Sequence, residues 1–156
     1  MEGDDTQAVI DAVEKAFAGV TLGKGIGLYQ GHAIDGHMPE EHCLKMRERD
    51  EKDDWHAIAP EELECHSSSL SFFDPLGMRF HLPAYLIGTL QHEISSDVMA
   101  FQLTHLTDYS RNQFSLLNPE QRAAVRTFLQ WALTEEDYLL DIELVNEALN
   151  DYWTAP

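Results

Sequence analysis

Residues 72–90 read FFDPLGMRFHLPAYLIGTL, the most sharply patterned run in a chain of 156 residues. Ser69 to Phe72 alternates polar and apolar, and Met78, Phe80 and Leu82 alternate again, which is the period of a half-buried strand. Between the two runs, Asp74, Pro75 and Gly77 stand where a tight turn favours those residue types. The pattern predicts a short antiparallel β-hairpin with Gly77 at positive φ. Pro83 then ends the second strand and opens a helix that reaches Leu90 and buries Leu86, Ile87 and Leu90. A chain with this segment at its centre is expected to fold around a small sheet, with Phe72, Phe80, Leu86 and Leu90 in the core.

The flanking sequence reads as helix. Residues 6–18 repeat Val9, Ile10, Val13, Ala16 and Phe17 at helical spacing behind Thr6 as N-cap, and Gly19 and Gly23 stop them. Residues 19–36 are glycine-rich and read as irregular chain or short edge strands. GKGIG lacks the spacing of a phosphate loop. In the charged segment that follows, Glu41, Lys45, Arg49 and Asp53 recur every four residues, as on a solvated helix face with ion pairs, and Leu44, Met46 and Trp55 are its apolar anchors. Pro60 opens a short helix, and residues 96–108 are ambiguous between strand and helix. Asn118, Pro119 and Gln121 form a strong helix start, with a cap, a first-turn proline and a capping-box partner. That helix runs to about Leu133 and buries Val125, Phe128, Leu129 and Ala132. A last helix over residues 136–153 places Tyr138, Ile142, Val145, Leu149 and Tyr152 on one face. The expected class is α+β: one mostly helical domain over residues 1–156 carrying a small antiparallel hairpin or sheet.

Charge narrows the partners. The chain has 10 basic and 28 acidic residues, a net charge of −18 with neutral histidines. Phosphate backbones and anionic membranes both require a basic footprint, so direct nucleic-acid and membrane binding are not expected. No apolar run reaches the length of a membrane span, and the acidic N-terminus lacks the regions of a signal peptide. Two cysteines, Cys43 and Cys65, are too few for a secreted disulfide framework, so a reducing cytoplasm is the expected compartment.

The sequence holds no recognised catalytic motif. Eight histidines invite a metal, but no CxxC, HxxxH or HExxH spacing occurs, and neither a metal nor another cofactor is expected. Neither cysteine sits in a nucleophile elbow, and GxSxG is missing. Within residues 72–90, Asp74, Arg79, His81 and Tyr85 are the chemistry-bearing side chains. Arg79 and His81 share one face of the second expected strand, on its more solvated side or under a covering loop.

The run LSFFDPLGMRFHLPAYL resembles an uncharacterised bacterial family. Its pattern is an aromatic pair, Pro-x-Gly, an aromatic, Leu-Pro-Ala-Tyr-Leu, then Leu-x-x-x-Gln and a C-terminal Ala-Leu-x-x-Tyr-Trp. These stand here as Phe72-Phe73, Pro75 to Gly77, Phe80, Leu82 to Leu86, Leu117 to Gln121 and Ala148 to Trp153. The resemblance covers about residues 50–153 and leaves the glycine-rich and charged segments as particular to this chain. It implies a domain and carries no activity. The family pattern has an aromatic where His81 stands.

The expected function is therefore binding without catalysis: an acidic cytoplasmic protein that neutralises a basic partner, as an immunity protein neutralises a secreted toxin such as a nuclease. From residue 127 to the end there is no lysine or arginine, and the partner-binding residues expected are Glu136, Asp141, Glu143, Glu147 and Asp151, with Arg79 and His81. Alternatives are a metal-binding protein or hydrolase using His37, His42, Cys43, Cys65 and His66, or a self-associating regulatory domain.

Overall fold

A computed structural model describes residues 2–154, and all the regular structure among them is helical. The expected hairpin does not form. Residues 75–90 are instead one helix, and the same residues that suggested a turn are its start. Asp74 is the N-cap and accepts a hydrogen bond from Gly77 N at 2.9 Å, while Pro75 occupies the first turn, where its missing N–H costs nothing. Gly77 is accordingly not among the residues at positive φ. It is needed for close approach, because a Cβ there would fall onto the carbonyl oxygen of Ile26.

The helices run in chain order as α1 (Glu2–Ala16), α2 (Leu28–Asp35), α3 (Glu40–Glu48), α4 (Pro60–Cys65), α5 (Pro75–Leu90), α6 (Ser96–Thr104), α7 (Asp108–Gln113), α8 (Pro119–Ala132) and α9 (Ile142–Ala148). Short 3₁₀ turns lie at Trp55–Ala57, Ser67–Ser71 and Glu136–Asp141, and a π turn at Leu149–Trp153 follows α9. Thus the glycine-rich segment contains α2, and the ambiguous residues after 95 form α6.

Helix α5 is the axis of the core. Met78, Phe80, Leu82, Tyr85 and Leu86 are fully buried, and every residue from Phe80 to Leu90 except Ile87 is buried. A helix covered on all sides shows no amphipathic stripe. Pro83 lies inside it, where it removes one intrahelical hydrogen bond from Arg79 C=O. Phe72, expected in the core, is only half-buried, and Phe73 fills that place.

Around this axis α1 packs against α8 and α5, burying the apolar face expected of it. Side chains from elsewhere satisfy the carbonyls at and after its end: Gln121 Nε2 donates to Ala16 O at 3.2 Å, and Trp55 Nε1 to Phe17 O at 3.0 Å. Helix α8 starts with the capping box read from the sequence, Asn118 and Gln121 bonding each other's backbone at 3.0 and 2.8 Å. It buries Val125, Phe128, Leu129 and Ala132. Gly19 and Gly23 both have positive φ, so the chain turns sharply after α1. The loop that follows is tied to α5 through Asp74, whose Oδ1 also accepts from Ile26 N at 2.9 Å.

Candidate functional site

Two surfaces carry chemistry. The first is the C-terminal segment, which runs as a 3₁₀ turn, α9 and a π turn rather than as one α-helix. Tyr138, Val145 and Leu149 face inward against the core, and Trp153 anchors the end, its indole donating to Leu103 O at 2.9 Å. Arg122 donates to Tyr152 O at 2.7 Å and Arg126 to Trp153 O at 2.9 Å. These α8 cations tie the carbonyls at the end of the helical path to α8.

The outward side is both acidic and apolar. Glu136, Glu143, Glu147 and Asp151 are exposed, and Asp141 is half-buried. Leu139, Leu140 and Leu144 are 66%, 97% and 50% exposed. Within α9, Glu143, Leu144 and Glu147 are spaced by three and four, so they share one face, and Leu139 and Leu140 precede them on the 3₁₀ turn. Three large apolar side chains left in water on one short segment form a patch, unlike a single scattered leucine. Among the described residues no lysine or arginine pairs with a carboxylate; the ion pairs belong to His56 and His66. Arg47, Arg122 and Arg126 spend their guanidinium groups on backbone carbonyls. The same holds at Glu41, Lys45, Arg49 and Asp53, which form none of the expected pairs, while Leu44 is exposed instead of anchoring α3.

Arg79 and His81 belong to neither surface. With no strand there is no solvated strand face, and both sit on α5. The His81 ring is 1% exposed, stacks on Phe73 at 4.2 Å and donates from Nδ1 to Gly77 O at 2.7 Å. Burial pushes its pKa down to about 4, although the Gly77 carbonyl and the Asp74 charge pull it up. Arg79 is half-buried, and its Nε is buried without a hydrogen-bond partner among the described residues. Tyr85 is buried too, its hydroxyl donating to Leu63 O at 2.7 Å.

The second surface is a cleft of about 560 Å³ between α2, α3 and α4. Sequence reasoning passed over Tyr29, Glu62 and Arg49 as a group, because 33 residues separate Tyr29 from Glu62 and no local spacing joins them. Asp50 builds the wall: it receives Tyr29 N at 2.6 Å and Gln30 N at 3.2 Å, acting as a remote cap for α2. Burial raises the Asp50 pKa, and those two N–H groups oppose the rise. Ser69 fixes α2 from the other side, its hydroxyl donating to Leu28 O at 2.6 Å. So held, Tyr29 donates its hydroxyl to Glu62 Oε2, and this bond is the main reason its pKa is raised. The Arg49 guanidinium lies 5.1 Å from the centre of the Tyr29 ring. His66 packs edge-on to both Tyr29 and His32, each at 4.8 Å, and its Nδ1 donates to Glu62 O at 2.9 Å.

The five residues of the metal alternative do not gather. His42 and His66 line the cleft, Cys43 is buried with its thiol against Met38 O, Cys65 is exposed, and His37 lies outside. Among the described residues no group of three His, Cys, Asp or Glu side chains is arranged to hold a metal ion. No helix among them is long and apolar enough to cross a membrane.

Fold and surface together define an acidic all-helical protein with a C-terminal face whose charge is not neutralised. The chain belongs to the family of unknown function DUF6714, whose sequence pattern matches residues 5–156. The match takes in the glycine-rich and charged segments that the resemblance left outside. No curated protein and no solved structure matches the chain.

Proposed function

We propose that this chain is a non-catalytic binding protein that docks a basic protein on the face formed by residues 136–151. What supports the reading is a single observation: Leu139, Leu140 and Leu144 stand in water among carboxylates that no lysine or arginine among the described residues pairs with. The two components do different work. Exposed leucines gain roughly 25 cal/mol per Å² once a partner covers them, which favours a bound state. The carboxylates accelerate encounter with a positive surface and select against acidic partners. A second copy of the chain would bring like charges together, so a basic protein is the fitting occupant.

The particular case is a bacterial immunity protein acting in the cytoplasm on a basic secreted toxin. A nuclease fits best, since it must carry a positive surface for phosphate and an acidic inhibitor can cover it. The test takes the basic proteins encoded in the reading frames beside this gene and measures association by stopped flow across ionic strength. Wild type should bind one of them, more slowly as salt rises. Glu143→Gln, Glu147→Gln and Asp151→Asn together should slow association with a shallower salt dependence. Leu140→Ser with Leu144→Ser should speed dissociation. Binding unaffected by either set sinks the docking face. Light scattering that shows a dimer lost with the leucine variant would favour self-association instead.

A further inference from the structure

We propose that the cleft between α2, α3 and α4 is a binding site for a small organic carboxylate with an apolar body. None of the residues of the acidic face form it, so it stands or falls separately from the docking reading. The cleft's volume of about 560 Å³ is within the range of small-molecule sites.

Arg49 carries the polar half of the inference. In contrast to Arg47, Arg122 and Arg126, its guanidinium makes no hydrogen bond or ion pair with a described residue. Its contact is the Tyr29 ring, an interaction that uses none of its N–H donors. A planar fork of fixed donors matches a carboxylate in a bidentate pair. His32 and His42 also line the cleft and add ring nitrogens.

Two features here could serve a cation; each has a partner within the chain, and Glu62 keeps its charge. Arg49 already covers the Tyr29 ring, and Glu62 already accepts from the Tyr29 hydroxyl. The bond to Glu62 ties down the hydroxyl end of the ring, so Tyr29 is a wall of the cleft with a cation over its face. Ala33, Met38 and Met46 also line the cleft, an apolar share of the lining in which the thioethers adapt to shape. Hence one end of the ligand is anionic and the remainder apolar.

Titration calorimetry at pH 7.5 tests this with four probes: 3-phenylpropionate, 3-phenylpropanol, 3-phenylpropylamine and inorganic phosphate. The carboxylate should bind saturably with one site per chain, the alcohol at least tenfold more weakly, and the amine and phosphate more weakly still. Arg49→Gln should weaken the carboxylate at least tenfold with the helical circular dichroism unchanged, since that side chain supports no other described contact. Glu62→Gln keeps an acceptor for Tyr29 and removes a nearby negative charge, so it should tighten the carboxylate a few-fold. No saturation by the carboxylate at millimolar concentration overturns the site. So does equal binding of the alcohol, preference for the amine, phosphate binding as tight as the carboxylate, or indifference to Arg49→Gln.

Discussion

His81→Phe isolates the one buried histidine among the described residues. In wild type, burial lowers the imidazole pKa from 6.5 to about 4. Above pH 6.5 neither the folded nor the unfolded chain protonates this ring, and its contribution to stability is fully present. Between pH 6.5 and 4 the unfolded chain takes up a proton that the folded chain refuses, so stability falls as pH falls. Below about 4 both states are protonated and the loss is complete. One unit of displacement corresponds to about 1.4 kcal/mol, so the whole loss is about 3 kcal/mol. The chain's pI is about 4.5, which makes pH 5 a practical lower limit for soluble protein. At pH 5 the expected share is about 2 kcal/mol. Phenylalanine keeps the stacking on Phe73 and cannot titrate, and its extra bulk should shift stability by about 1 kcal/mol at every pH alike. Urea unfolding at pH 7.5, 6.5, 5.8 and 5.0 should therefore show the variant gaining on wild type by about 2 kcal/mol across the series. Taking the difference cancels the titration of Asp50 and of the surface carboxylates, and the neighbouring Asp74 charge is common to both proteins. Parallel curves, with a difference that changes by less than about 0.5 kcal/mol, would refute a ring held neutral by burial.

Phe80→Ala should destabilise by about 3–5 kcal/mol in denaturant unfolding, because the ring is fully buried in α5; a loss under about 1 kcal/mol would place it outside the core. Gly77→Ala puts a methyl group on the Ile26 carbonyl, so the loop or α5 must shift, and the loss should be at least about 2 kcal/mol in the same assay. The acidic variant Glu143→Gln, Glu147→Gln and Asp151→Asn should leave melting unchanged or raise stability by a few tenths of a kcal/mol, since like charges are removed and no described contact is lost.

Local chemistry made some of this molecule legible in the sequence. The Asn118–Gln121 capping box acts within four residues, so it appears in the structure as written. Helices α1 and α8 each bury one side only, and their 3.6-residue stripes named the right core residues. The C-terminal run kept its inward Tyr138, Val145 and Leu149, though not its single-helix form. Net charge, and the absence of any cation after residue 126, needed no folding to be seen.

Tertiary packing decided the rest. Asp-Pro-x-Gly serves a turn and a helix start equally well, and what selects the helix is Asp74 bonding both Gly77 and Ile26, a contact across 48 residues. A helix buried on every side has no stripe to betray it, so the alternation of Met78, Phe80 and Leu82 carried strand information that the surrounding helices overrode. The same burial made His81, expected on a solvated strand face or under a loop, a core ring whose pKa is pushed down to about 4. Tyr29, Arg49 and Glu62 meet where Asp50 and Ser69 hold α2 in place, and no spacing along the chain encodes a site whose walls come from three separate helical segments.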